Sequence, residues 1–443
     1  MTISSSMNAS VAGLSANASR LAAISDNISN SGTYGYKRAV TDFSAMVIDG
    51  GAGSFSAGGV RSTTSRLIDQ SGALIATSNP TDLAVRGRGM LPVVPQSSVG
   101  ANASNNLILT TTGSFRPDAN GFLTTPSGLV LLGIPAGPNG EIPTFARDSA
   151  ASLRPVQINA NQFVGEATTQ IDLSVNLPAT GTRSGASGAP ENLSVEYFDS
   201  LGASANLDMT FTPVVPADGA SNTWRLDVRD SATDADADGL GDIVGSYTLT
   251  FDDTQQNGGN LASVVFADGT APIGGAYDPA TGMLTVAADS GPISIALGGG
   301  ESGPGMTQLS DIFAPVAVSK DGTPAGTLAA VEVDANGMVR ATYDSGATRV
   351  LYQIPLVDVP NVNGLESLDQ QSFRVTPDSG ALFLWTAGDG PTGDIIGYAR
   401  EESATDVAGE LTELIQTQRA YSSNAKVIQT VDEMLQETTN IKR

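Results

Sequence analysis

The chain contains no cysteine and no histidine. Their absence excludes a disulfide framework, a cysteine nucleophile, a cysteine–histidine zinc site and a serine–histidine–aspartate triad. Lysine is nearly missing too. Lys37, Lys320, Lys426 and Lys442 are all there is, which leaves Schiff-base and serine–lysine chemistry few candidates. Only 5% of residues are aromatic and 15% charged, the latter well under the usual ~25%. Scarce aromatic rings count against a carboxylate-based glycosidase, and the 46 Asp and Glu residues show no spacing that marks out a catalytic pair. No stretch approaches the ~18–20 apolar residues of a membrane span. Met1 to Gly13 carries no basic residue, and Arg20 is the first, so the start does not read as a secretory signal. These features predict a protein that stays in the cytoplasm, or one that leaves the cell without a cleaved signal.

What is present is glycine, at 50 residues, with abundant Ser, Thr and Asn, and a net charge of −24. Phosphate binding needs a basic face, so that charge argues against a nucleic-acid partner. It also disfavours an anionic membrane surface, and its plain consequence is solubility. At 443 residues with 40% hydrophobic content, the chain is long enough for two or three domains with a substantial core.

The two ends differ from the middle. From Ile3 to about Asn30 there is no proline. Met7, Val11, Leu14, Ala18, Leu21 and Ile28 recur in alternating steps of four and three, with Ser25 in the one gap and Ile24 widening the stripe. This is a heptad seam on one face of a helix. From Ser403 to Ile441 proline is again absent. Val407, Leu411, Leu414, Tyr421, Ala425, Ile428 and Leu435 keep the same spacing, interrupted at Gln418 and Asp432, while Ile415, Val427, Val431 and Met434 form a second stripe. Ser403 and Thr405 are each plausible N-caps, with Asp406 and Glu410 at the end where the helix dipole favours them. Two stripes imply two neighbours. The seams predict that the terminal helices pair, coiled-coil-like, and associate further with other copies.

Between the ends the pattern is β. Asp118-Ala119-Asn120-Gly121 and Asp334-Ala335-Asn336-Gly337 separate strand-like runs, as does Asp344-Ser345-Gly346, and each places glycine where a tight hairpin needs positive φ. Linker-like composition appears at Gly50–Gly59, Pro135–Pro143, Thr180–Pro190 and Gly298–Gly305. The predicted fold is mainly β with terminal α-helices and two β-rich domains, the inner one inserted in a discontinuous outer one. Its parts are an N-terminal helix at 1–34, a connecting segment at 35–79, outer β-domain pieces at 80–154 and 306–398, an inserted β-domain at 155–305, and a C-terminal helix at 399–443. The layout implied is elongated, with both ends together.

Two constellations invite a chemical reading. Asp234, Asp236 and Asp238, with Gly239 after them, begin like a calcium loop, but its twelfth position is Gly245 rather than a bidentate Glu. A shorter loop closed by Asp242 is the remaining metal candidate, set against a solvated acidic turn. Arg86-Gly87-Arg88-Gly89 could cradle phosphate, but no helix pattern follows it, so a turn at a strand end is expected.

The segment Asn27-Ile28-Ser29-Asn30-Ser31-Gly32-Thr33-Tyr34-Gly35-Tyr36-Lys37-Arg38 reads as a helix C-terminus capped by Gly32 and followed by a polar turn. It also resembles the N-terminal signature of the bacterial flagellar axial proteins of rod and hook, in which Asn-Ile-(Ala/Ser)-Asn is followed by Thr-x-Gly-(Phe/Tyr)-Lys-Arg. The run from Asp406 to Leu435 is similar to the C-terminal helix of the hook members. Thr81 to Gly89, Thr112 to Phe115, Tyr197 to Gly202, and Asp321 to Glu366 resemble further parts of that family. The long inserted middle favours hook over distal rod. Met90-Leu91-Pro92 and Ala381 to Trp385 depart from the pattern.

The resemblance implies a non-enzymatic structural subunit without cofactors, part of a curved, flexible tube that transmits torque from rod to filament. Its terminal helices would line the tube and its β-domains would slide as the tube bends. Implied partners are copies of itself, the rod, the hook cap, the hook–filament junction proteins and the flagellar export apparatus, with the protein extracellular on the flagellum. A distal rod or other axial subunit is the alternative within the family. A secreted, calcium-dependent β-rich adhesin is the alternative of another class.

Overall fold

The computed structural model describes residues 3–47, 57–100, 106–137, 140–159, 164–235, 239–267, 274–298 and 305–441. The chain is mainly β, with an α-helix at each end, and divides into two compact units. Unit one comprises residues Met1–Ala160, Ala330–Ala341 and Arg349–Arg443, and unit two comprises Asn161–Ala329 and Thr342–Thr348. The sequence-based outer segment at 306–398 is therefore shared between units. Residues 307–308 and 314–320 pair with the strand at 170–177, and residues 323–326 pair with 164–166, which keeps 306–329 in unit two. At the other boundary, Arg154–Pro155 pairs with Leu132–Gly133 of unit one.

Helix α1 spans Ile3–Ser29. Strands β1 (Ala39–Val47) and β2 (Ala57–Arg66) then form an antiparallel hairpin. The linker expected at Gly50–Gly59 is therefore strand from Ala57 onward, and its residues 50–56 lie outside the described set, as do 138–139 and 299–304 of two other expected linkers. The fourth, Thr180–Pro190, opens in a short 3-10 helix at Ala179–Thr182 with Thr182 fully buried, and from Arg183 to Pro190 it is exposed or half-buried. The chain ends in helix α2, Val407–Ile441.

The β-core of unit one is built on Leu91–Pro95, Ile108–Thr110 and Leu129–Pro135, where Val94, Leu109, Val130 and Leu132 are fully buried. Met90 and Leu91, where the family pattern departs, are buried in that core, and Met90 exchanges two backbone hydrogen bonds with Val357. Both Asp-Ala-Asn-Gly turns form. Gly121 has φ +82° and Gly337 +80°, and Asp118 Oδ1 and Asp334 Oδ1 each accept two backbone N–H bonds across their turn. Arg86-Gly87-Arg88-Gly89 is a strand-end turn, with Gly87 and Gly89 at positive φ and Arg88 Nε 2.6 Å from Asp358 Oδ1.

Unit two is a two-sheet packing. Five antiparallel strands, 191–198, 204–213, 223–230, 242–251 and 261–266, follow one another in chain order. A mixed sheet centred on 170–177 supplies the second layer. Burial along Thr223–Asp230 alternates strictly, as a strand with one face on a core requires. Trp224, Leu226 and Val228 point inward with Phe211, Leu249, Ile171 and Leu173.

Candidate assembly junction at the paired termini

Helices α1 and α2 pack side by side and antiparallel. Asn27 meets Glu410, Arg20 meets Glu413, and Gly13 lies against Asn424. The buried side chains of the two helices are mostly small or polar, with Ile24 and Val431 the large apolar ones. On α1, Ser10, Ala16, Asn17, Ala23, Ile24 and Asn27 are buried; on α2, Glu410, Thr417 and Val431 are. A Cβ on Gly13 would fall 2.8 Å from Asn424 Nδ2, so Gly13 lies directly against the Asn424 side-chain amide. The hairpin closes on another side of α1, where Gly59 faces Ala9 and Ala12.

The seam residues divide accordingly. Leu14, Leu21 and Ile28 of α1, and Leu414, Ala425 and Ile428 of α2, are half-buried. Met7 and Val11, and Val407, Leu411, Tyr421 and Leu435, stand exposed, Val11 at 51% and Leu411 at 48%. Of the second stripe Val431 is buried, while Ile415, Val427 and Met434 are exposed. The apolar faces of both helices thus remain largely uncovered within one chain.

The turn from Asn27 to Arg38 folds into one network. Helix α1 ends at Ser29 without a glycine cap: Gly32 does not take positive φ, whereas Gly35 does, at +71°. Side chains bond across the end. Ser29 Oγ donates to Ser25 O, Asn30 Nδ2 to Asp26 O, Ser31 Oγ to Ile28 O, and Thr33 Oγ1 to Asn30 Oδ1. Asp26 O and Ile28 O also accept the backbone N–H groups of Asn30 and Ser31, so the side chains reinforce a last turn that the backbone already closes. At the start of α2 the cap is Asp406 rather than Ser403 or Thr405. Its Oδ1 accepts from Ala408 N at 3.1 Å, while Ser403 Oγ spends itself on Thr405 N.

Asn27, 1% exposed, uses both amide hydrogens and its carbonyl oxygen. Its Nδ2 donates to Ala39 O at 2.8 Å and Glu410 Oε1 at 3.1 Å, and its Oδ1 accepts from Ala39 N at 2.8 Å. The Tyr36 hydroxyl lies 3.1 Å from that Oδ1 and 2.8 Å from Asp26 Oδ2. Burial, and then the bond to Asp26, push the Tyr36 phenol up to about 12. Arg66 stacks over the Tyr36 ring and reaches Asp26. Arg38 pairs closely with Glu410 and, at 3.4 Å, with Glu413. Burial alone would lower the Arg38 guanidinium pKa, but the bond to Glu410 and the charges of Glu410 and Glu413 hold it above its usual value.

Lys37 points the other way. Its Nζ is 2.8 Å from Glu401 Oε1 and donates to Gln70 O. Gly72 N also donates to Glu401 Oε1, Glu401 N donates to Thr112 Oγ1, and Gly35 N donates to Glu401 O. Asn27, Asn30, Thr33, Gly35, Tyr36, Lys37 and Arg38 therefore staple α1, the hairpin, the lead into α2 and the β-core of unit one. Sequence reading missed the partners Glu401, Glu410 and Asp26. Nothing in their local pattern signals them, since Asn27 and Glu410 are 383 positions apart.

The acidic loop offers less. Asp242 accepts from Ala235 N with both carboxylate oxygens, and Asp234 Oδ2 accepts from Gly239 N. Asp236 and Asp238 lie outside the described residues. Among the described residues no group of three or more acidic side chains could hold a metal ion, and no helix is long and apolar enough to cross a membrane.

Known proteins match the chain throughout. Residues 7–37 match the family described as flagella basal body rod protein, 171–323 the flagellar basal body protein FlaE D2 domain, and 397–441 the flagellar basal body rod FlgEFG protein C-terminal region. The first of these covers α1 from Met7 and the turn as far as Lys37, and the last covers Glu401 and α2. The flagellar hook proteins FlgE of Brucella suis biovar 1 (strain 1330) and of Rhizobium meliloti (strain 1021) are each 32% identical over 100% of both chains. The Escherichia coli (strain K12) flagellar hook protein FlgE is 27% identical over 98% of each. A crystal structure of the Helicobacter pylori flagellar hook protein FlgE2 superposes with a TM-score of 0.47 at 13% identity, covering 74% of this chain and 99% of that one. With whole-chain identity of 32% and matching families at both ends and in the inserted middle, the chain belongs to the flagellar hook protein family.

Proposed function

We propose that this structural hook subunit polymerises, through the exposed faces of its paired terminal helices, into a curved, flexible tube that carries torque from rod to filament. The observation that carries this reading is the pairing itself. Helices α1 and α2 meet through small and polar side chains and leave Met7, Val11, Val407, Leu411, Ile415, Tyr421 and Leu435 in solvent. Burying such surface stabilises association by about 25 cal/mol per Å² before the cost of ordering. Leu14, Leu21, Ile28, Leu414, Ala425 and Ile428 would complete those contacts. The turn from Asn27 to Arg38 would transmit load between the helices and the β-core. The β-rich units would slide as the tube bends.

The partners this reading calls for are copies of the chain, the rod, the hook cap, the hook–filament junction proteins and the export apparatus. The protein would work outside the cell, exported without a cleaved signal, and would carry out no catalysis. Electron microscopy of concentrated purified protein tests the reading. Full-length chain should form tubes or filaments. Removing residues before Gly32 and after Thr405 should abolish them while the β-rich units stay folded. A full-length chain that stays monomeric, and also fails to restore hooks to a hookless cell, overturns it.

A further inference from the structure

Five Asn–Gly steps occur in the chain, at Asn120, Asn139, Asn257, Asn336 and Asn363. Glycine has no Cβ to shield its backbone nitrogen, so at each step that nitrogen can turn back on the preceding side chain. Asn139 lies outside the described residues. The fold treats the other four differently. In three of them the glycine nitrogen is already bonded: Gly121 N donates to Asp118 O at 2.9 Å, Gly337 N to Asp334 O at 3.0 Å, and Gly364 N to Asn361 O at 3.1 Å. Asn363 is held a second time, because its Oδ1 accepts from Ile68 N and Asp69 N. At the fourth step, the Gly258 N–H has no acceptor among the described residues, although Gly259 N and Asn260 N beside it donate to Asp252 O and Asn257 O. Asn257 and Gly258 are both exposed, in the loop between the strands at 242–251 and 261–266 of unit two. Bonds from Thr254, and then one from the Asn257 side chain, hold the Asp252 carboxylate below its usual range, so the Asn257 amide faces that carboxylate across the loop. No donor among the described residues holds Asn257 Oδ1.

We infer that Asn257 is a site of spontaneous chain modification, closing with Gly258 to a succinimide that opens to aspartate and isoaspartate. The Gly258 nitrogen gives up its proton and forms a bond to Asn257 Cγ. The bond from Cγ to Nδ2 breaks, and ammonia leaves with that proton. Water then opens the five-membered ring at either carbonyl. Both products place a new carboxylate in a loop that already carries Asp252 and Asp253, on a chain whose net charge is −24. Isoaspartate also routes the backbone through the side chain. It thereby lengthens the loop that the Gly259–Asp252 and Asn260–Asn257 bonds close. The inference stands apart from the polymer reading above, since it concerns a single chain.

The full-length chain, held at mildly alkaline pH and sampled over time, provides the test. Peptide mass spectrometry reads the mass gained at each site as amide becomes acid, and isoaspartyl methyltransferase labelling reads the isoaspartate. In the folded chain Asn257 should convert on the order of tenfold faster than Asn120, Asn336 or Asn363, because at those three sites a hydrogen bond must open before the glycine nitrogen can react. In concentrated urea the four rates should draw together, since glycine follows each asparagine and the fold alone separates them. Equal rates in the folded chain, or a lead for any of the other three, overturns the inference. So does a lead for Asn257 that urea leaves unchanged, which would belong to the neighbouring sequence and not to the structure.

Discussion

Lys37 Nζ stands 2.8 Å from Glu401 Oε1, and each side chain is 1% exposed. The second carboxylate oxygen, Glu401 Oε2, is buried without a hydrogen-bond partner among the described residues. The pair therefore binds the turn after α1 to the segment before α2 at a high desolvation cost. Removing one member leaves the other charge buried and alone. Lys37→Met and Glu401→Leu should each destabilise unit one by about 3–5 kcal/mol. The double variant should recover much of that loss, since apolar replacement of a whole buried pair is often neutral. Urea unfolding followed by helix content checks both statements.

Asn27 gives a second prediction. Asn27→Leu would leave both backbone groups of Ala39 without their side-chain partner and would take one of two donors from Glu410 Oε1, which keeps Arg38. At about 1–3 kcal/mol for a buried group left unsatisfied, the variant should lose at least ~2 kcal/mol. Hydrogen exchange at the Ala39 amide should speed up with it. Unchanged protection at Ala39 would show that the contact is dispensable.

Gly337 and Gly346 separate two costs of adding a Cβ. Both have positive φ, +80° and +86°. At Gly337 the new carbon would lie 2.3 Å from Ile354 O, while at Gly346 nothing lies within 4 Å. Gly346→Ala should therefore cost only the left-handed conformation, about 1–2 kcal/mol. Gly337→Ala should cost visibly more, because the Gly337–Ile354 backbone contact must open. Thermal unfolding of the two variants under identical conditions measures the difference.

Alkali should loosen the fold through buried phenols. Burial first, and for Tyr36 also its bond to Asp26, raise Tyr36 and Tyr247 from 10.0 to about 12. A raised folded-state value means that the folded chain holds the proton more tightly than the unfolded one. The contribution is thus fully present below pH 10, is lost between pH 10 and about 12, and is gone above. Tyr36→Phe should flatten the part of the alkaline loss that belongs to unit one, while costing stability at neutral pH through the lost hydroxyl bonds. Denaturant midpoints measured across that range decide it.

Much of the architecture was legible from local pattern. Missing proline and heptad spacing placed both helices, with α1 at Ile3–Ser29. The Asp-Ala-Asn-Gly turns formed where read, because Asp118, Asp334 and the glycines act within a few residues. The hairpin of β1 and β2 was not legible. Ala57–Arg66 is rich in Gly, Ser and Thr, and it becomes strand by pairing with β1 and packing on α1.

The amino-acid order alone determined that the ends would be amphipathic helices, that the middle would be β with tight turns, and which family the motifs resemble. Those properties depend on short-range sterics and periodicity. Only the tertiary structure decided which helix face is spent inside the chain. Periodicity shows that Met7, Val11 and Leu411 form stripes, but a stripe does not say what covers it. The bond from Asn27 to Glu410 and the ion pair of Arg20 with Glu413 place a polar side of the two helices at the pairing. That choice leaves the apolar side facing outward, where another copy can reach it.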